Sequence, residues 1–202
     1  MRGWRESTFV FLSANPENLP GGVEETWLAV MATLVENGAT VQFICAVGSP
    51  LAESARSLGV FVSPWVLDNW NLVRSRSRLR KFLRRYEPVC AHSTGLEADL
   101  LLRWAVRTLP DVRIASTLTE SLAQATRRRP AMETLMRHFD DAGIERTDAV
   151  FVPTQDLIGE VQVAGVAPER IVLDPPDSDP AASVKRHLDV YRAFMAARGS
   201  AR

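Results

Sequence analysis

The stretch TFVFLSANPENLPGGVEETWLAVMATLVENGATVQFICAV, residues 8–47, decides the fold class of this chain. It opens with a β-rich apolar run at 8–13, continues through a loop with proline and glycine, and then repeats apolar residues at helical spacing over 24–37. The run at 40–47 is apolar without alternation, which is typical of a strand covered on both faces of a parallel sheet. We therefore predict a strand, a glycine-containing loop, a helix that ends at Gly38, and a second strand.

The same alternation of apolar runs and amphipathic stretches continues along the chain. We predict further strands at 60–63, 89–92, 112–117, 149–153 and 171–174, and helices at 51–58, 71–86, 96–108, 131–141 and 156–164. Seven strands separated by helices predict an α/β, Rossmann-like fold, a parallel sheet with right-handed crossovers and helices on both faces. Prolines at 175, 176 and 180 mark a break, so we expect one domain over 1–178 and a C-terminal helix within 179–202 that packs back on it.

Composition and charge place the chain among ordinary globular proteins. Of its 202 residues 46% are hydrophobic, and 24 basic residues balance 24 acidic ones, which gives no overall charge for nucleic-acid binding. No run approaches the ~18 apolar residues of a membrane-spanning helix, and the run at 9–12 is too short for a secretory leader. Cys45 and Cys90 fall in apolar runs, where we expect buried core residues rather than a disulfide. We therefore expect a cytoplasmic protein.

The residues that follow the predicted strands are the first candidates for a binding site, because ligands of an open parallel sheet bind beyond the carboxyl ends of its strands. Gly21 and Gly22 let backbone amides approach a ligand closely, and the helix N-terminus after them favours an anion. Glu24 in the first helical turn would instead repel a phosphate. Both a phosphate-binding loop and a flexible connection remain open as interpretations.

Histidines and hydroxyl-bearing residues supply the remaining candidates at this edge. His92 ends the predicted fourth strand and Ser93 and Thr94 follow it, so together they offer a base and two hydroxyls, although a polar loop facing water explains them equally well. His138 and His187 fall in predicted helices, where we expect them at the surface. The spacing of the three histidines predicts no metal site. The candidates after later strands are Thr119, Glu120 and Thr154.

The predicted helix at 71–86 carries seven basic residues and no acidic one, with apolar residues at helical spacing. The favoured interpretation is an apolar stripe on the sheet and a basic face in water. Trp27 also stands at helical spacing, which favours core packing over stacking on a sugar ring. The alternative for the basic helix is contact with anionic lipid or a phosphorylated acceptor, through Arg78, Arg80, Lys81, Arg84 and Arg85.

Four segments resemble, in the same order, parts of the N-terminal, acceptor-side domain of family 4-type glycosyltransferases of the GT-B fold. The resemblance spans residues 8–178, and His92 stands at the first histidine of the family's "pDvvHsHg" strand. The segments are PGGVE at 20–24, RKFLRRYEPVCAHSTG at 80–95, DAVFVPTQDL at 148–157 and GVAPERIVLDPP at 165–176.

The resemblance implies a division of roles between two domains. In that family the N-terminal domain holds the acceptor, the C-terminal domain holds a nucleotide-diphosphate sugar, and transfer occurs in the cleft between them without a metal or other cofactor. This chain departs from the pattern twice. Thr119 stands where the family has a histidine after the fifth strand, and one helix follows the hinge-like prolines where the family has its donor-binding domain. That helix resembles the family's last helix, which returns to the N-terminal domain.

We therefore expect an acceptor-side half that contributes to glycosyl transfer only together with a donor-binding partner, on another chain or in a homo-oligomer. The isolated chain is then expected to transfer no sugar. The alternative is a non-catalytic module, derived from a glycosyltransferase, that binds a glycan or nucleotide or regulates a transferase. Peripheral contact with an anionic membrane suits both, and no nucleic-acid partner is expected. A dehydrogenase-like enzyme is disfavoured because Pro-Gly-Gly at 20–22 is not the Gly-x-Gly-x-x-Gly fingerprint.

Overall fold

The computed structural model describes residues 3–14, 22–65, 72–119 and 146–200. These residues form one seven-stranded sheet, in which every pair of neighbouring strands is parallel. Helices cover both faces, so the α/β, Rossmann-like prediction is confirmed. The predicted helix at 131–141 lies outside the described residues.

The described elements follow the predicted order, with ends that differ by a few residues. The strands are β1 Thr8–Ser13, β2 Thr40–Ala46, β3 Phe61–Trp65, β4 Cys90–Thr94, β5 Arg113–Thr117, β6 Ala149–Val152 and β7 Ile171–Leu173. The α-helices are α1 Val23–Glu36, α2 Leu51–Ser57, α3 Leu72–Tyr86, α4 Leu96–Val106, α5 Gln155–Val163 and α6 Pro180–Ser200. Short 3-10 helices occupy Trp4–Glu6 and Pro168–Arg170.

The order of the strands across the sheet is β3-β2-β1-β4-β5-β6-β7. The chain therefore builds outward from β1 to one side and then crosses to β4 and builds outward to the other. Such a reversal of direction leaves a crevice at the carboxyl ends of the strands, because the flanking connections diverge there. We call this side of the sheet the carboxyl edge.

The helices divide between the two faces of the sheet. One face packs against α1, α2 and α6, in a core that includes Phe11, Trp27, Phe43 and Tyr191. The opposite face packs against α3 and α4 through residues such as Leu79, and α5 covers the β6 end of that face. Both faces are therefore buried, which explains why β1 and β2 are apolar without alternation.

Helix α6 packs on the same face as α1. Leu188, Tyr191 and Phe194 are buried there, and the ring centroid of Tyr191 lies 5.3 Å from that of Phe9 in β1. Burial of each such side chain contributes roughly 1.5 to 3 kcal/mol. The helix is therefore part of the core, and its inward face reaches the carboxyl edge.

Two further predictions concern the cysteines and the membrane. Cys45 and Cys90 are both free and buried, as predicted. No helix among the described residues is both long enough and apolar enough to cross a membrane.

Candidate functional site

A cleft opens at the carboxyl edge, between the start of α1 and the segment that follows β7. The cleft is narrow, with about 20 Å³ that a water molecule can enter, and the wider empty space of about 360 Å³ includes open solvent at the mouth. The wall combines residues from five elements that are far apart in sequence. They include Gly22 and Trp27 at α1, Thr117 of β5, Phe151 of β6, Asp174 after β7 and His187 of α6.

Gly22 forms one rim of the cleft and precedes the first turn of α1. Its φ of +76° lies in the left-handed region, which a side chain disfavours. A Cβ at this position would lie 3.3 Å from the Pro176 carbonyl oxygen. Glycine therefore lets the start of α1 and the segment after β7 approach each other. Gly21 lies outside the described residues, and Glu24 stands in the first turn without lining the cleft.

His92 lies inside β4 and is 1% exposed, and the predicted end of the strand at His92 was wrong by two residues, so Ser93 and Thr94 are not in a loop. The strand runs on to Thr94 because these residues pair with both β1 and β5. Ser93 and Thr94 are buried for the same reason, and Gly95, with φ +86°, ends the strand. The Thr94 hydroxyl donates to the Thr117 carbonyl oxygen at 3.2 Å.

Both ring nitrogens of His92 are hydrogen-bonded. Nδ1 lies 2.6 Å from the Tyr191 hydroxyl, and Nε2 lies 2.8 Å from the Thr117 hydroxyl. Burial holds the pKa of His92 well below its usual value, and the charge of a protonated His187 would lower it further. His92 is therefore a neutral residue that joins β4, β5 and α6, with neither nitrogen open to a ligand.

His187 is 1% exposed, so its predicted surface position was also wrong. Its ring stacks on Phe151 with a centroid separation of 3.9 Å and an interplanar angle of 3°. The residue lies on the same face of α6 as Val184 and Tyr191, at helical spacing. That spacing was visible in the sequence, but a polar residue type suggested the surface.

The hydrogen bond of His187 assigns its tautomer. Nδ1 lies 3.0 Å from the Ser183 carbonyl oxygen, and a carbonyl only accepts, so Nδ1 carries the hydrogen. Burial lowers the pKa of His187, with the Ser183 carbonyl and the Asp174 carboxylate acting in the opposite direction. The neutral ring thus keeps a lone pair on Nε2, and that atom has no hydrogen-bond partner among the described residues.

Among the described residues that line the cleft, Asp174 contributes the single carboxylate. It accepts hydrogen bonds from the Ser183 hydroxyl at 2.6 Å and from Arg186 Nε at 2.8 Å. These contacts join the segment after β7 to α6 and balance the charge of the carboxylate. The sequence prediction ended the last strand at Asp174 and did not count this residue among the site candidates.

Trp27 is fully buried, which agrees with the expectation of core packing. Its ring centroid lies 5.1 Å from that of Phe11 and 5.0 Å from that of His92. It nevertheless belongs to the cleft wall, and its indole N–H has no hydrogen-bond partner among the described residues.

Of the other predicted candidates, Thr119 and Thr154 do not line the cleft, although each directly follows a lining residue. Thr119 is half-buried just past β5, Thr154 is exposed before α5, and Glu120 and His138 lie outside the described residues. Within the described ranges no group of three or more His, Cys, Asp or Glu residues is arranged to hold a metal ion.

Helix α3 presents the basic face that its sequence suggested. Leu79 and Leu83 are buried against the sheet, while two arginines lie over tryptophan rings at 4.6 and 4.2 Å, Arg76 on Trp104 and Arg78 on Trp65. The guanidinium of Arg85 lies 5.7 Å from the ring of Tyr86, and Arg80 is half-buried. The exposed basic residues of the helix are Arg74, Arg78, Lys81, Arg84 and Arg85.

The sequence matches Glycosyltransferase Family 4 over residues 20–176. No curated protein sequence matches the chain significantly.

Several solved structures share the fold at low sequence identity. A glycosyltransferase from Rickettsia africae ESF-5 superposes with a TM-score of 0.60 at 13% identity, covering 91% of this chain and 50% of that one. Alr3699/HepE of Anabaena, in complex with UDP-glucose, gives 0.62 at 12% identity, covering 85% and 44%. The lipopolysaccharide outer core galactosyltransferase WaaB gives 0.59 at 12% identity, covering 82% and 44%. This chain spans about half the length of these proteins.

The family match covers most of the chain, and two of the three structures above are a glycosyltransferase and a galactosyltransferase. The order of the resembling segments had indicated the same family from sequence. The chain therefore belongs to glycosyltransferase family 4.

Proposed function

We propose that this domain is the acceptor-side half of a glycosyltransferase, and that it contributes to transfer from a nucleotide sugar only together with a donor-binding domain outside these 202 residues. Glycosyl transfer brings a donor diphosphate, an acceptor hydroxyl and charge-stabilising groups into one closed site. The proposal assigns the acceptor to the cleft at the carboxyl edge and the diphosphate to the other domain.

The observation that carries the proposal is the composition of the cleft wall. Among the described residues that line it there is no lysine or arginine, while Asp174 brings a carboxylate and His187 is neutral. A diphosphate is held by cations, metal ions or a cluster of backbone amides. The start of α1 offers amides at Gly22, but the acidic residues Glu24 and Glu25 follow at once. A neutral acceptor suits these surroundings better than a phosphate does.

A turnover assay with the purified chain tests the dependence on a partner. We would use UDP-glucose and related nucleotide sugars as donors, because Alr3699/HepE has been solved with UDP-glucose. Neutral glycosides and lipid-linked sugars would serve as acceptors. We expect no product above the rate without protein, and steady transfer by the chain alone would contradict the proposal.

A non-catalytic glycan-binding role is the second candidate, and the state of His92 favours it. With both nitrogens hydrogen-bonded inside the core, this histidine is unsuited to act as a base on a bound sugar. One measurement distinguishes the acceptor-side role from the non-catalytic binding role. Glycan binding that never supports transfer, even when a donor-binding domain joins the chain in a complex, would favour the binding role.

We further propose that the exposed basic face of α3 contacts an anionic membrane surface, with the domain on the cytoplasmic side, a location that suits two free buried cysteines. Basic residues near such a surface contribute about 1 kcal/mol each. Replacing three of them with glutamine should therefore weaken binding to phosphatidylserine-containing vesicles on the order of 100-fold. The test variant changes Arg74, Lys81 and Arg84, and the control changes three exposed basic residues elsewhere, Arg56, Arg107 and Lys185.

Vesicle flotation at two salt concentrations measures the effect. We expect binding of the unmodified chain to fall at high salt, because surface charges are screened. Equal binding of the two triple variants would contradict the membrane contact.

A further inference from the structure

Two buried histidines lie against each other where helix α6 packs on the sheet. The ring centroids of His92 and His187 are 5.5 Å apart with an interplanar angle of 24°, and each residue is 1% exposed. His92 belongs to β4 and stays with the sheet, whereas His187 belongs to α6. The contact between α6 and the sheet therefore contains two groups that can each become positively charged near neutral pH.

The surroundings of His187 leave no place for a second proton. Nδ1 already donates to the Ser183 carbonyl oxygen at 3.0 Å, so a second proton would bind Nε2. That atom is closed to water and has no hydrogen-bond partner among the described residues. The ring also lies flat on Phe151, at a centroid separation of 3.9 Å. A charged His187 would therefore be a buried cation whose new N–H has no acceptor, which is strongly unfavourable.

The other titratable groups near the pair compensate only in part. Among the described residues they are Asp174 after β7, Arg186 and Tyr191 on α6, and Cys90 in β4. The Asp174 carboxylate lies 3.7 Å from His187 Nδ1, beyond hydrogen-bond distance, and already accepts from the Ser183 hydroxyl and Arg186. Arg186 repels a charged His187. Burial raises the pKa of Cys90 and of Tyr191, so both are uncharged.

Helix α6 is held to the sheet by side chains. In the described ranges no backbone hydrogen bond joins α6 to a strand. The helix is held by its buried apolar residues, by the hydrogen bond of Tyr191 to His92, and by the bonds of Ser183 and Arg186 to Asp174. Its separation would leave the seven-stranded hydrogen-bond ladder intact. We therefore expect α6 to open at a lower free energy than the whole domain.

We propose that α6 is an acid-released helix, which separates from the sheet when His187 and His92 take up protons. In the closed state α6 covers the apolar face of β1 and β4, and His187 belongs to the wall of the cleft. In the open state the two imidazoles reach water, and the cleft loses that part of its wall. Acid favours the open state because the closed state does not accommodate these protons. The release is independent of the proposed acceptor role.

The size of the effect follows from proton linkage. A histidine exposed to water titrates near its usual pKa of about 6.5, so stabilisation of the closed state is present above that pH and lost below it. Between pH 7.5 and 5.5 the equilibrium constant for opening should rise about tenfold if one histidine binds a proton on opening. It should rise about 100-fold if both do.

Amide hydrogen exchange of the full chain at pH 7.5, 6.5 and 5.5 tests the release. The rates are expressed as protection factors, so that the intrinsic pH dependence of exchange is divided out. We expect the protection of amides in the middle of α6 to fall by about 10- to 100-fold from pH 7.5 to 5.5. At pH 5.5 these amides should be protected about tenfold less, or lower still, than those of β1 and β2. Equal protection of α6 and β1 at all three pH values, or α6 protection that does not fall, overturns the proposal.

Two variants assign the effect to the histidine. His187→Phe keeps an aromatic ring on Phe151 and removes the proton-binding group, so the fall in α6 protection should shrink by about tenfold. Phe194→Leu is the matched control, because it loosens the packing of α6 without removing a titratable group. It should lower the protection of α6 at each pH and leave the fall between pH 7.5 and 5.5 unchanged. An equal fall in His187→Phe and Phe194→Leu overturns the proposal, and the measurement on the unmodified chain depends on neither variant.

Discussion

The hydroxyl of Tyr191 offers a direct test of how the core beneath the cleft is organised. This hydroxyl lies 2.6 Å from Nδ1 of His92, and both side chains are buried. Tyr191→Phe keeps the ring and its contact with Phe9 but leaves Nδ1 without its partner. The expected loss is the desolvation penalty of one buried polar group, about 1 to 3 kcal/mol of unfolding free energy.

Thermal and urea unfolding both measure this loss. For a chain of this size each kcal/mol corresponds to about 2 to 4 °C in Tm, so Tm should fall by about 2 to 12 °C. The protein contains only one other tyrosine, Tyr86, which is half-buried on α3. Tyr86→Phe removes the same atom at the edge of the fold and should change Tm little.

A double-mutant cycle with His92 makes the test specific. In a His92→Phe background the Tyr191 hydroxyl is itself the buried group without a partner, so Tyr191→Phe should be neutral or stabilising there. The reasoning is refuted if Tyr191→Phe has the same effect as Tyr86→Phe, or if its effect is unchanged when His92 is replaced.

The remaining predictions concern pH and Gly22. The folded chain keeps His92 and His187 neutral with lowered pKa values, whereas the unfolded chain binds protons near the usual value of about 6.5. The free energy of unfolding should therefore decline as pH falls from 7 through 6.5 towards the pKa values of the folded chain, by up to about 1.4 kcal/mol per pH unit for each histidine. Urea concentrations at the unfolding midpoint that stay constant between pH 7.5 and 5.5 would contradict this. Gly22→Ala should destabilise by about 1 to 2 kcal/mol because φ is +76°. Gly159→Ala, within α5 and with open space around its Cβ, should be neutral or stabilising by up to about 1 kcal/mol, and equal unfolding midpoints for the two variants would count against the account of Gly22.

The sheet could be predicted from sequence because strands buried on both faces are continuous apolar runs. The segments at 8–13 and 40–47 match β1 and β2 within one residue. Helices α1 and α6 were equally visible, because their buried residues repeat at helical spacing.

The errors concern polar residues whose partners are distant in sequence. The fourth strand was ended at His92 with Ser93 and Thr94 in a polar loop, yet the ring of His92 is buried and hydrogen-bonded to Tyr191, 99 positions later. No local pattern reports such a pairing. His187 was placed at the surface although it shares the apolar spacing of Val184 and Tyr191, so residue type outweighed a periodic signal that was correct.

The cleft itself was predicted only in outline. The carboxyl edge follows from the parallel topology, and Gly22 was identified on its rim. Trp27, Asp174 and His187 meet there only because α1, β7 and α6 converge in space, and a sequence pattern does not report that convergence.

The division of roles between two domains is the central claim, and calorimetric titration of the purified chain with UDP, UDP-glucose and neutral glycosides tests it most directly. A ligand that binds the native state also raises Tm, so thermal shifts provide a second readout on the same samples. The account predicts a response to at least one neutral glycoside and none to UDP or UDP-glucose. Micromolar binding of UDP-glucose by this chain alone would contradict it, because the donor site would then lie within these 202 residues.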